Sequence, residues 1–251
     1  MNKQWWLGFK AGTNLTTIHV LKTYTNISPT NYSTDRSAKQ YESFKQPGAQ
    51  ATLEASFYYE KFYFSFQPTY QHANFTYTND YSWEEDGIVM FEQHNDQNQK
   101  VDHLILPLLV KYDITGNKLR PYVQIGVYSS ILLNANKYLT VSENNYASGG
   151  KETITKPADI IGAKDLFAKN HWGLIGGGGL NYALGNVRIN LDVQYRFGMS
   201  NITSTENRNE NDSQGSLGDV LDDMTMDNLA ISMGALFPLR FLASGFKSLD
   251  R

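Results

Sequence analysis

Seven charged residues, five histidines and a set of acid-rich stretches are the parts of this chain that could do chemistry. Lys10, Glu54, Lys111, Arg120, Arg188, Asp192 and Arg196 all fall where apolar and polar residues alternate, on the polar side of the alternation. Gathered in a bore, such a set could conduct ions or act on a substrate. In a narrow interior, unpaired charges are expensive, so the expectation is a salt-bridged plug rather than a path. His19, His72, His94, His103 and His171 lack the short spacings of zinc ligands. His171 with Ser129 or Ser130 is the pair that a lipid-modifying enzyme would need, although no triad is legible at short range. Glu206, Glu210, Asp212, Asp219, Asp222, Asp223 and Asp227 offer hard oxygen ligands but no calcium-loop spacing, and are read as a solvated acidic loop. The run Gly176 to Gly179 has no Lys-Ser/Thr after it and lies within a strand, so it suits curvature or the close approach of an aromatic ring, not phosphate binding. No metal, cofactor or enzymatic activity is expected.

The elements that position these residues are strands. From Val187, the residues Val187, Ile189, Leu191, Val193, Tyr195, Phe197 and Met199 alternate with Arg188, Asn190, Asp192, Gln194, Arg196, Gly198 and Ser200. A period of two with one oily and one charged face is what a transmembrane β-barrel wall requires, since its backbone groups must all pair within a closed sheet. Similar patterns run over Trp6 to Thr16, Gly48 to Tyr59, Phe62 to Gln71, Val101 to Ile114, Pro121 to Asn134, His171 to Leu184 and Asn228 to Phe237, with the seventh strand taken to Thr203. In the fourth, Leu104, Leu106, Leu108, Val110 and Tyr112 form the oily face, while Ile105, Pro107 and Leu109 interrupt the polar one.

The connections alternate long and short. Short turns occur at Glu60–Lys61, Thr115–Lys118 and Gly185–Asn186, and long polar segments cover Thr17–Pro47, Thr78–Gln99, Asn136–Asn170 and Ser204–Asp223. All the short turns then lie at one end of the sheet, as in outer-membrane barrels with periplasmic turns and extracellular loops. The fold expected is all-β: an eight-stranded antiparallel up-and-down transmembrane barrel over residues 1–238, with a periplasmic tail over 239–251. Eight strands leave a bore that side chains fill. The structural rival, a soluble lipocalin-like barrel, would carry its apolar face inward.

Composition agrees. A net charge of −3 gives no basic footprint for nucleic acid, and the absence of cysteine suits an oxidising compartment. Mean hydropathy is −0.45, which excludes a bundle of membrane helices but not a barrel. The N-terminus MNKQWWLGFKAG has no apolar signal core, so an exported protein is expected to be numbered from near its mature end.

The blocks GFKAGTNL, ILPLLVKYDITGNKLRPYVQIGVYSSILLNA, KDLFAKNHWGLIGGGGLNYALGNVRINLDVQYRFGMSNI and NLAISMGALFPL resemble the small outer-membrane β-barrels of the PorT-like group. The resemblance implies a barrel in a Gram-negative outer membrane, in contact with lipid and lipopolysaccharide, serving in some cases as an accessory to secretion or gliding machinery. The chain departs from the pattern in continuing past Phe237 with LRFLASGFKSLDR. The function expected is therefore a non-enzymatic docking subunit of an envelope protein complex. Its candidate docking residues are Leu239, Phe241, Leu242 and Phe246 of the tail, and Ile160, Ile161, Leu166 and Phe167 on a helix-like segment, Ala158 to Lys169. The alternatives are a stand-alone binding protein or narrow pore that uses the long loops, and an outer-leaflet lipid enzyme.

Overall fold

The computed structural model describes residues 4–24, 39–116, 118–147, 150–208 and 220–240. Eleven strands are found among them: β1 (Gln4–Lys22), β2 (Gln40–Glu42), β3 (Pro47–Tyr59), β4 (Phe62–Phe66), β5 (Thr69–Glu85), β6 (Ile88–Asp113), β7 (Leu119–Asn145), β8 (Glu152–Gly162), β9 (Asn170–Leu184), β10 (Val187–Gly198) and β11 (Asp223–Pro238). They form one sheet whose ladders are all antiparallel.

Eleven strands stand where eight were expected, for two physical reasons. The expected third strand is divided into β4 and β5 at Gln67–Pro68, because proline brings no N–H to a ladder. Both pieces nonetheless lie between β3 and β6. The short β2 and the longer β8 arise in segments read as loops, and pair with β5 and β7. With these set aside, the ladders run β1–β3, β3 to β4 and β5, these to β6, then β6–β7, β7–β9, β9–β10, β10–β11 and β11–β1. Each of these strands has a neighbour on both sides.

The wall is apolar outside and polar inside. Ile125 is 70% exposed and Leu53 65%, whereas Asp192 is 0% and Lys10 2%. On β10 the buried Arg188, Asn190, Asp192, Gln194 and Arg196 alternate with the exposed Leu191, Val193 and Phe197. This is the reverse of the lipocalin-like rival. The phase expected for the fourth strand holds in β6: Leu108 and Val110 are exposed, while Ile105 and Leu109 pack inside with Tyr128 and Ile175. Aromatic rings ring both edges of the apolar band. Trp5 with Phe57 and Phe62 with Tyr112 lie near the short turns; Tyr195 with Phe197, together with Tyr70 and Trp172, lie toward the other end.

Several expected loops are strands instead. Thr78–Gln99 is the continuation of β5 and β6, joined by a two-residue turn with Asp86 at φ 48° and Gly87 at φ 76°. Such positive φ at both central residues suits the right-handed twist of the flanking strands. The helix expected over Ala158 to Lys169 is absent: residues to Gly162 belong to β8, followed by one 3-10 turn, Lys164–Leu166. β10 stops at Gly198 rather than Thr203. In β7, Asp102 pairs with Asn134 but His103 with Leu132, so Leu133 is an inserted residue. An unbroken alternation from Pro121 would point Asn134 inward; the bulge turns it outward and puts Ala135 and Lys137 inside.

Candidate functional site

The expected charge set is largely brought together. Lys10 on β1 faces Thr52 of β3 in register, which places Glu54 one inward position along; Gly234 and then Asn190 lie on its other side, so Asp192 is equally near. Lys10 Nζ donates to Asp192 Oδ2 at 2.5 Å and lies 3.0 Å from Glu54 Oε2. Lys111 Nζ, from β6, donates to Glu54 Oε1 at 2.8 Å, and the Ser56 and Ser65 hydroxyls donate to the same oxygen at 2.5 and 3.1 Å. Gln124 donates to the far oxygen of Asp192, and Gln194 donates at 3.2 Å to the oxygen that Lys10 uses. Two lysines and two carboxylates thus neutralise each other across four strands, in a shell of amides and hydroxyls.

The other three charges sit apart from this quartet. Arg196 is held by amides, Gln50 Oε1 and Gln194 Oε1, both at 3.1 Å. Toward the short turns, Arg188 lies with its Cζ 3.8 Å from the centre of the Trp6 ring and donates to Tyr63 Oη at 2.5 Å; Tyr63 in turn donates to Asp113 at 3.0 Å. Arg120, only half-buried, reaches Asp113 at 3.8 Å. Asp113 was not among the expected site residues, although it is the last inward position of the expected fourth strand, Val101 to Ile114.

At the opposite end the interior holds an apolar cluster among buried polar groups such as Gln97, Gln99 and Lys137. Ala163, Leu166, Phe167, Ile202, Leu221 and Met224 pack on Phe75, Tyr77, Val101 and Leu132 in one buried cluster. Leu166 and Phe167 are therefore core residues, 3% and 4% exposed, and do not form an outward docking stripe; Phe167 meets Phe75 edge-on at 6.4 Å. Ile160 is 66% exposed and Leu239 44%. Ile161 is half-buried, and Phe241, Leu242 and Phe246 lie outside the described residues. Between this cluster and the charges, His103 and His171 meet edge-on at 4.8 Å, with Tyr128 6.1 Å from His171. Ser130 stands opposite His171 in the ladder and Ser129 points outward. The Ser130 hydroxyl has no partner among the described residues and is fully buried, so it meets neither His171 as a base nor any substrate from solvent. Among the described residues, no group of three or more His, Cys, Asp or Glu could hold a metal.

The glycine run has a packing role. Tyr122 of β7 pairs with Gly179 of β9, and a Cβ at 179 would lie 2.2 Å from the Leu191 carbonyl oxygen of β10 and 2.5 Å from the Tyr122 hydroxyl; one at Gly176 would meet nothing within 4 Å. Tyr122 is buried and accepts a bond from Asn190 at 2.9 Å, so it has no free rotamer to retreat to. Gly179→Ala should cost about 1–3 kcal/mol, as overpacked cores do. Gly176→Ala should be near neutral, and urea unfolding of both variants measures the contrast.

Residues 2–204 match the model of the outer membrane protein beta-barrel domain. The chain belongs to that family. As a family member it is an outer-membrane β-barrel protein. Among solved structures it is similar to Neisserial surface protein A, NspA, at 12% identity, over 92% of this chain and 96% of that one, with a TM-score of 0.32. It is also similar to Ail, the attachment invasion locus protein of Yersinia pestis, at 11% identity, over 93% and 99%, with a TM-score of 0.34. A sequence comparison with curated proteins finds no match. Its role has to be argued from its own residues.

Proposed function

We propose that the ladders close an eight-stranded barrel spanning the outer membrane, with β4 and β5 acting as one strand, and that the protein binds ligands on its extracellular surface instead of conducting solutes. The observation that carries this reading is the filled interior, neutral charge quartet below and apolar cluster above, beneath strands that continue well past the apolar band. β6 and β7 are 26 and 27 residues long, far more than the roughly 9–11 that a tilted strand needs to cross a bilayer. The surplus builds a platform of β5, β6, β7 and β8 beyond the membrane, and platforms on rigid scaffolds commonly carry binding.

The absence of native cysteine makes the topology directly testable. Asp86→Cys, at the tip of the β5–β6 hairpin, should react with a membrane-impermeant maleimide on intact cells, whereas Glu60→Cys, in a short turn, should react only after the outer membrane is opened. Purified protein in a planar bilayer should give no stepwise conductance. Equal labelling at both sites, or open channels, would sink this reading. The resemblance to the PorT-like group supports a second one, a docking subunit in a secretion or gliding complex, for which Ile160 on β8 and Leu239 beyond β11 are the exposed apolar residues. Stoichiometric co-purification of other envelope proteins in mild detergent would favour it over the stand-alone barrel.

A further inference from the structure

The apolar wall carries a groove that its role as a belt does not require. Two rows of outward side chains cross the strands side by side. Trp5, Phe57, Phe64, Val110 and Ile125 form the first, each paired with the next in the ladders of β1, β3, β4, β6 and β7. Two residues along these strands, away from the short turns, Ala55, Phe66, Leu108 and Val127 form the second. A groove of about 690 Å³ runs between the rows. Its floor is formed where Ser65, Leu109 and Gly126 lie between them; Ser65 and Leu109 turn inward and are buried. The Ser65 hydroxyl donates to Glu54 at 3.1 Å, so the polar atom of the floor is already engaged inside. Ala55, small between Leu7 and Phe66, leaves the second row low at that point.

The groove slopes. Phe57 stands two residues before Tyr59, the end of β3, and Phe64 two after Phe62, the start of β4; Val110 stands three before Asp113, and Ile125 six after Leu119. The short turns lie at one rim, so the groove is lowest beside Glu60–Lys61 and climbs toward Ile125. From β1 to β7 it crosses four gaps of roughly 4.8 Å, about 19 Å, and at a strand tilt of about 40° it climbs about 12 Å. One leaflet of the hydrocarbon core is about 15 Å deep, half of roughly 30 Å. The groove thus covers most of one leaflet, from the interface to near the middle.

Slope, depth and charge select the occupant. Trp5 lies at the low end against Phe57, with ring centres 5.2 Å apart, and tryptophan favours the headgroup level. Glu60 and Lys61, both exposed on the adjoining turn, offer one charge of each sign, which matches a zwitterionic headgroup. A second barrel fits worse. Two barrels side by side share the membrane normal, so the rows on the facing wall slope the opposite way and cross the groove instead of filling it.

We propose that the groove binds one acyl chain of a phospholipid with a zwitterionic headgroup, drawn from the leaflet on the short-turn side. The headgroup sits at Trp5 and the Glu60–Lys61 turn, and the chain ends at Ile125 and Val127. This rests on the barrel spanning the outer membrane, as proposed above. The test is photo-crosslinking of the full-length protein in vesicles of phosphatidylethanolamine and phosphatidylglycerol. A trace of phosphatidylethanolamine carries a diazirine near the carboxyl end or at the methyl end of one chain, and labelled peptides are mapped. The methyl-end probe should label Leu108–Val110 and Ile125–Val127 about fivefold more than Leu191 and Val193 on β10, the scale of a preference that rests on packing alone. The carboxyl-end probe should instead favour Trp5 and Phe57. Ala55→Phe with Val110→Phe fills the groove with side chains that lipid tolerates, and should bring its labelling down to the β10 level. Leu191→Phe with Val193→Phe should leave it unchanged. Even labelling around the wall, the two probes in reverse order, or equal loss in both variants overturns the inference. So does groove labelling that appears only after dilution of the protein in lipid, which marks a second barrel as the occupant. Maleimide labelling of Glu60→Cys separates the failures: if it still needs the outer membrane opened, the topology stands and the lipid site alone is lost.

Discussion

Glu54→Gln should lower stability more than any other single change in the buried quartet, by about 3–5 kcal/mol, because it leaves two lysines sharing one carboxylate in a sealed interior. In the native protein Glu54 meets Lys10 at 3.0 Å and Lys111 at 2.8 Å, and all three are buried. The amide that replaces it is close in shape, so the effect is one of charge and not of volume. Lys111→Met alone leaves Lys10 shared between Glu54 and Asp192, an excess of one negative charge. Combined with Glu54→Gln it restores neutrality, since Lys10 keeps its 2.5 Å bond to Asp192. The double variant should therefore be more stable than Glu54→Gln alone, the two effects being far from additive. Urea-unfolding midpoints in lipid vesicles, followed by tryptophan fluorescence, give the four corners of the cycle. Additive losses would mean that the quartet is not a unit.

How much of this could be read from the sequence depends on whether the signal is local. Strand alternation is local, so Lys10, Glu54, Lys111, Asp192 and Arg196 all face inward as the pattern requires. Which charge meets which is not local: Lys10 and Asp192 are 182 residues apart, and only the registers of β1, β11 and β10 bring them together. The long β5–β6 hairpin had a local signal, Asp86–Gly87, a strong turn dipeptide. The alternation around it failed, because Gln93, His94, Asn95, Asp96, Gln97 and Asn98 are polar on both faces. Two-sided polarity is what a sheet standing in water allows, and hydrophobic periodicity cannot detect it.

The apolar cluster at the end away from the short turns was unreadable for a different reason. Leu166 and Phe167 come from the segment Asn136–Asn170, Leu221 from Ser204–Asp223, Ile202 from beyond the end of β10 and Met224 from the start of β11. Taken singly they carry no period. Ile160, Ile161, Leu166 and Phe167 fit a helical face by spacing, but the N–H of Ala163 donates to Ala135 of β7 at 3.0 Å and the Thr203 region bridges to Phe167, so sheet contacts override the local pattern. The pairing of His94 with Asp80 is hidden in the same way, because it follows only once the turn at Asp86–Gly87 sets the register.

Two isoleucines test the membrane belt itself. Ile125 on β7 and Ile160 on β8 are 70% and 66% exposed, so a soluble protein would treat arginine at either position alike, within roughly 0.5 kcal/mol. Their surroundings differ. Ile125 pairs with Val110 and Gly176 about midway along the apolar band, while Ile160 pairs with Tyr138 on the sheet that continues beyond it. β10 from Ile189 to Phe197 takes eight steps of roughly 3.3 Å, about 26 Å along the strand, which at a tilt of about 40° spans about 20 Å of the roughly 25 Å height of an outer-membrane apolar belt. Near its middle an arginine has furthest to reach for water, and Ile125→Arg should cost about 2–4 kcal/mol in vesicles. Ile160→Arg should be nearly neutral, because its guanidinium is already in water. In detergent the penalty at Ile125 should shrink, since a micelle deforms around the charge more readily than a bilayer. Equal, small effects at both positions would place Ile125 in water and the apolar face against some other surface than lipid.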